Sequence, residues 1–132
     1  MFKKGPVPAF FHGLLDYVAG ALLIAAPFIF AFDSDTATGV SIAIGVVVLI
    51  VSASTAMSTG LIKSIPVQAH VILDYVVAIL LIASPFLFAF DDDGSATAFF
   101  LALGVVHLLL TIATRFVRDD RPRRRQAATE RR

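Results

Sequence analysis

The chain contains no cysteine and no tryptophan, and only 16% of its 132 residues are charged. The first absence excludes structural disulfides, thiolate nucleophiles and cysteine-ligated zinc. The second removes the indole N–H from the groups available at a membrane interface. The shortage of charge restricts the fold most. A soluble domain carries about 25% charged residues, whereas here 58% of residues are hydrophobic, more than an aqueous surface hides. There is also no glycine-rich phosphate loop, no nucleophile elbow and no helix-borne zinc-protease motif, so no enzyme class is indicated.

Four long apolar runs take up the chain: Val7 to Phe32, Thr36 to Leu61, Ile65 to Phe90, and Ser95 to Thr114. Each reaches the ~20 residues with which a helix crosses ~30 Å of hydrocarbon. None has a polar face, which excludes an amphipathic soluble bundle. Lys3 and Lys4 precede the first run as they would a signal peptide. That run, however, exceeds the ~7–15 residues of a signal core, lacks a small-x-small cleavage site, and recurs in mid-chain. The expected fold is all-α, an integral membrane four-helix bundle. Its helices are expected over about residues 9–31, 37–58, 67–89 and 95–117. Residues 1–8 form an N-terminal segment, 62–66 a linker, and 118–132 a basic, disordered tail.

All eleven Lys and Arg residues fall in three places: Lys3 and Lys4, Lys63, and the stretch from Arg115 to Arg132. The other two connections, Asp33-Ser34-Asp35 and Asp91-Asp92-Asp93, carry acids and no base. With four spans the basic segments share one side. The positive-inside rule makes that side cytoplasmic and puts the acidic turns outside.

The stretch Pro8 to Asp33 aligns with Pro66 to Asp91 at an offset of 58, with sixteen of twenty-six positions identical. Beyond the turn the offset becomes 59, aligning Gly45 with Gly104, Ser52 with Thr111, and Thr55 with Thr114. Each unit contains two spans, so both copies enter the membrane from the same side. They are parallel two-helix repeats (9–61 and 67–117), related by a pseudo-two-fold axis along the membrane normal.

The pattern H-x-x-L-D-Y, followed by S-P-aromatic-x-F-x-F and met twice, resembles the SPW repeat family of small bacterial membrane proteins. The resemblance covers roughly Pro8 to Thr114. It implies a four-helix protein of the bacterial inner membrane and implies no established activity. The repeat-defining residues are Pro27 and Phe28 in the first copy, and Ser84, Pro85 and Phe86 in the second. The eponymous Trp is Phe86, and the first copy reads Ala26-Pro27-Phe28.

Pro27 and Pro85 each remove a backbone donor and crowd the preceding turn, so each helix is expected to kink or end there. The phenylalanines that follow are expected to form an aromatic plug around the hairpin. A hinge or partner-docking surface is the functional alternative.

His12 and Asp16 are four apart, as are His70 and Asp74, so each pair shares a helix face. If α-helix begins near Ala9, Asp16 lies about 10 Å inside the boundary, and the repeat makes Asp74 equally deep. Ser52, Thr55, Thr111 and Thr114 fall at similar depth. His107 lies slightly deeper, and its counterpart is Val48. This polar layer admits three readings. In the first, each Asp accepts a hydrogen bond from the His one turn earlier and fixes helix register, with no cofactor. In the second, the imidazoles and carboxylates hold a metal ion or a haem. In the third, they pass protons or ions.

Small residues at helical spacing, Gly13 and Gly20, Ser41 and Gly45, Ser52 and Ala56, allow close helix contact inside the bundle or across a homodimer seam. The expected role is a non-enzymatic structural or accessory membrane component. The alternatives are a metal- or haem-binding membrane protein and a minimal transporter active only as an oligomer. The expected partners are the lipid bilayer and a second copy or larger membrane complex. The Arg-rich tail lacks interleaved aromatics, which argues against nucleic acid.

Overall fold

The computed structural model describes residues 5–116, so Lys3, Lys4 and the basic tail lie outside the described residues. Four helices follow one another: α1 (Ala9–Ile29), α2 (Asp35–Ser54), α3 (Val67–Leu87) and α4 (Gly94–Ala113). Each is long and apolar enough to cross a membrane. The chain is a multi-pass membrane protein. Its outward faces, carrying Phe10, Val18, Ile50, Ile72, Ile79 and Leu109, are apolar and exposed.

Helix α1 packs chiefly on α2 and α3 on α4, while α1–α4 and α2–α3 contacts close the bundle. Leu23, Ile44, Val48, Leu81, Phe90 and Phe100 bury one core drawn from all four helices and the second turn. In lipid, burial of apolar surface does not drive helices together, so close packing and hydrogen bonds carry the association. Gly20 and Gly45 meet at the α1–α2 crossing. A Cβ on Gly45 would stand 2.7 Å from the Gly20 carbonyl oxygen, and one on Gly20 would stand 2.7 Å from Leu49 Cδ2. These two small residues serve the internal bundle.

The prolines end their helices without breaking them at once. Pro27 and Pro85 sit in the last turns, and Ala31 and Ala89 follow with φ of 48° and 53°. Phe32 N–H donates to the Pro27 carbonyl (3.0 Å) and Phe90 N–H to that of Pro85 (2.9 Å). This is a Schellman stop with alanine where glycine is usual. Pro27 leaves the Leu23 carbonyl without its helical donor, and Ser41 Oγ on α2 donates to it at 2.6 Å.

Helices α2 and α4 stop earlier than expected, at Ser54 and Ala113 rather than near 58 and 117. Thr55 and Thr114 turn to extended backbone instead. The carbonyls of Ala53 and Ser54 accept from Leu61, Ile62, Ser64 and Ile65 in the returning loop. Thr55 forms a parallel bridge with Ile65. Its counterpart is a two-residue parallel ladder in which β1 (Val7–Pro8) pairs with β2 (Thr114–Arg115), with Val7 opposite Thr114. The sequence carries no period-2 signal for so short a ladder. Each hairpin's exit thus pairs with the other hairpin's start, which is the two-fold relation of the parallel repeats.

Candidate functional site

Thr55 and Thr114, displaced from their helices, begin the site. Each hydroxyl donates to the carbonyl four residues back, Thr55 to Val51 and Thr114 to Leu110, both at 2.6 Å. With its proton committed, each threonine oxygen accepts from a histidine. His70 Nδ1 lies 2.8 Å from Thr55 Oγ1, and His12 Nδ1 lies 2.9 Å from Thr114 Oγ1. Both rings are thereby turned so that Nε2 faces the bundle axis.

The histidines reach first across the repeats. His12 Nε2 is 3.0 Å from Asp74 Oδ2, and His70 Nε2 is 3.1 Å from Asp16 Oδ2. The contacts within a helix are longer, 3.3 Å for His12–Asp16 and for His70–Asp74. The expectation that each Asp bonds the His one turn earlier is corrected here. Parallel α1 and α3 place the four groups on facing sides, so the shorter path runs between helices. All four side chains are buried, and one ligand-type atom from each lies within 4.8 Å of the others.

His107 joins at the edge, with Nε2 3.7 Å from Asp74 Oδ1 and no hydrogen-bond partner among the described residues. Asp16 Oδ1 and Ser52 Oγ are likewise buried without partners among the described residues. Thr111 turns away, donating to the His107 carbonyl at 2.9 Å. Phe116 covers the node from the terminal end, its ring centroid 4.8 Å from that of His12 and 6.4 Å from that of His70. Its counterpart in the first repeat, Met57, is also buried. Nothing in the stretch Arg115-Phe116-Val117 marks Phe116 in advance. A cavity of about 30 Å³ abuts the node, lined by Ser52, His70 and Asp74 and walled by Val47, Val48, Val51, Leu73 and Val77.

With this geometry in view, the SPW repeat domain model matches residues 10–114. The chain belongs to the SPW repeat family. No curated protein and no solved structure matches it.

The SPW motif lies at the opposite end of the helices from the node. Pro27 stands eleven residues past Asp16, about 16 Å along the axis at ~1.5 Å per residue. Phe28 and Phe86, in the motif's aromatic position, are 73% and 63% exposed and face outward. Ser84 is buried and donates to the Leu80 carbonyl at 2.6 Å. The expected aromatic plug divides. Phe90 and Phe100 turn inward with ring centroids 5.0 Å apart, whereas the motif's own aromatics lie on the outside of the bundle.

A second polar site in this SPW repeat protein was not anticipated. Asp93 caps α4, its Oδ1 accepting from Ala96 N–H at 3.1 Å. Its Oδ2 accepts from Asp33 N–H (2.8 Å) and Ser34 N–H (2.9 Å) in the other repeat's turn. Burial alone would raise the carboxyl's pKa, but the backbone donors of Ser34, Ala96, Asp33 and Ser95 outweigh it and hold the group below the usual carboxylate range. Asp93 followed by Gly94 and Ser95 is a recognisable N-cap signal. The link to the first turn is not, because it needs the two hairpins side by side.

Proposed function

We propose that this SPW repeat protein is a non-enzymatic structural or accessory component of the bacterial cytoplasmic membrane. The observation that supports this reading is where the polar groups go. The membrane-embedded His and Asp side chains face one another across the repeats, and the surface presented to lipid is apolar. The cavity beside the node is about 30 Å³, roughly the volume of one water. The node joins two hairpins whose helices otherwise meet mainly within each repeat. Ionisable groups in lipid are costly unless paired in this way. Both chain ends lie in the cytoplasm, a reading supported by the segregation of bases from acids.

Two measurements test this. Proteoliposomes of the purified chain should show no proton or cation flux above empty vesicles. Flux that disappears in Asp16→Asn would replace the accessory role with transport. A reporter fused after Arg132 should be active in the cytoplasm, and Asp92→Cys, exposed in the second turn, should label from outside. Labelling only after permeabilisation would reverse the orientation.

A further inference from the structure

We infer that His12, Asp16, His70 and Asp74 form a binding site for one divalent transition-metal ion, zinc in the first instance. The inference goes beyond the accessory role and does not depend on it.

The hydrogen bonds around the histidines lead to it. Thr55 and Thr114 have given their protons to backbone carbonyls, so each Nδ1 must carry the hydrogen that lies between ring and hydroxyl. In a neutral imidazole the other nitrogen, Nε2, is then a bare lone pair. Both lone pairs point at two carboxylate oxygens 3.0–3.3 Å away. Lone pair against anion is repulsive in a buried site, so positive charge has to stand between them.

Two protons would supply it through two separate bonds, His12 to Asp74 and His70 to Asp16, leaving the two 3.3 Å contacts unbridged. One divalent cation serves all four atoms together. Donors about 2.0–2.2 Å from a common ion stand roughly 2.8–3.6 Å apart along the edges of a regular or flattened tetrahedron. The four nitrogen–oxygen separations, 3.0, 3.1, 3.3 and 3.3 Å, fall inside that range, and the remaining nitrogen–nitrogen and oxygen–oxygen edges are bounded at 4.8 Å.

Three further features agree. A divalent ion with two carboxylates and two neutral imidazoles is uncharged, which suits a site walled by lipid-facing helices. The Nδ1–H bonds to Thr55 and Thr114 are the outer contacts that orient metal-bound histidine. Asp16 Oδ1 and His107 Nε2, buried and without a partner among the described residues, are spare donors beside the centre, able to take a second carboxylate bond or a bound water. The donor set of two nitrogens and two oxygens without thiolate suits zinc and other first-row divalent ions. A cavity of about 30 Å³ has room for an ion or a water and none for a porphyrin.

The full chain, purified in detergent and stripped with chelator, should take up one Zn²⁺ per chain by elemental analysis. It should bind Co²⁺ with the strong visible absorption of four-coordinate sites, which Zn²⁺ then abolishes. Thr55→Val and Thr114→Val keep all four ligands and should weaken binding about 10–100-fold. Asp16→Asn combined with Asp74→Asn should lose the ion. Should that double variant fail to fold, the wild-type stoichiometry and the threonine variants still decide. The inference is overturned if monodisperse, helical wild-type protein takes up no stoichiometric ion. It is equally overturned if stoichiometric binding survives in the folded double variant. Neither outcome bears on the vesicle flux that tests the accessory role.

Discussion

The two ends of the bundle solve one problem, joining two hairpins in lipid, by different means. At the end where α1 and α3 begin, the repeats meet through a polar node. There every main contact has its two-fold counterpart: His12–Asp74 with His70–Asp16, and His12–Thr114 with His70–Thr55. At the turn end they meet through an apolar core and one unsymmetrical clasp, Asp93 on the backbone of Asp33 and Ser34. Duplicated residues make symmetrical joints, and a joint made by one copy needs a residue the other copy lacks. Ser34, the counterpart of Asp93, caps only its own helix, accepting from Ala37 N–H at 3.1 Å.

The largest effect is expected at the node. Asp74→Ala removes the nearer carboxylate of His12, the second carboxylate of His70 and the one beside His107, and should cost about 3–5 kcal/mol in thermal unfolding in detergent. Asp16→Ala should cost less, because His107 approaches only Asp74. Equal losses would mean that His107 contributes nothing and that the node is fully symmetrical. At the turn end, Asp93→Ala removes a helix cap and two further acceptor contacts, an expected loss of about 2 kcal/mol. Ser34→Ala removes one cap contact and should cost about 1 kcal/mol. If the two variants unfold alike, the cross-repeat clasp carries no weight.

Asp93 also gives the turn end its own pH dependence. Its folded pKa is lowered, so the ionised group contributes stability above the unfolded carboxylate value, about 3.9. That contribution is lost as pH falls through the lower, folded value. Asp93→Asn should flatten this acid limb of the stability profile, and an unchanged limb would assign it elsewhere. An effect of the opposite sign is expected at the helix stops. Ala31→Gly and Ala89→Gly relieve left-handed backbone at the two Schellman stops and should each stabilise by about 1 kcal/mol. Gain at one site only would show that the stops are unequally strained.

The four spans and the parallel repeat were legible because composition and periodicity carry them directly. The starts of α1 and α3 were also readable: Ala9 and Val67 follow Pro8 and Pro66, extended N-cap residues. The ends of α2 and α4 were not, since what stops them is the ladder with Ile65 and Val7, a pairing between distant segments. The spacing of His12 and Asp16 correctly put them on one face. It could not say that His12 lies nearer Asp74, because the distance between α1 and α3 is a property of packing. Asp93 read as one acid among several in a turn, and only the neighbouring hairpin gives its second oxygen a purpose.

The parallel pairings at the terminal end have a consequence for ancestry and assembly. The loop from Thr55 to Ile65 joins by covalent bonds what Thr114 and Val7 join by hydrogen bonds alone. A chain of this form is a homodimer written into one polypeptide. Two separate copies of a single hairpin would close the same ring around the same four side chains, but they would have to keep both halves alike. Fusion removes that constraint. It allows His107 to stand where the other half has Val48, and Asp93 where it has Ser34, so that a centre shared equally by both halves acquires a distinguishable left and right.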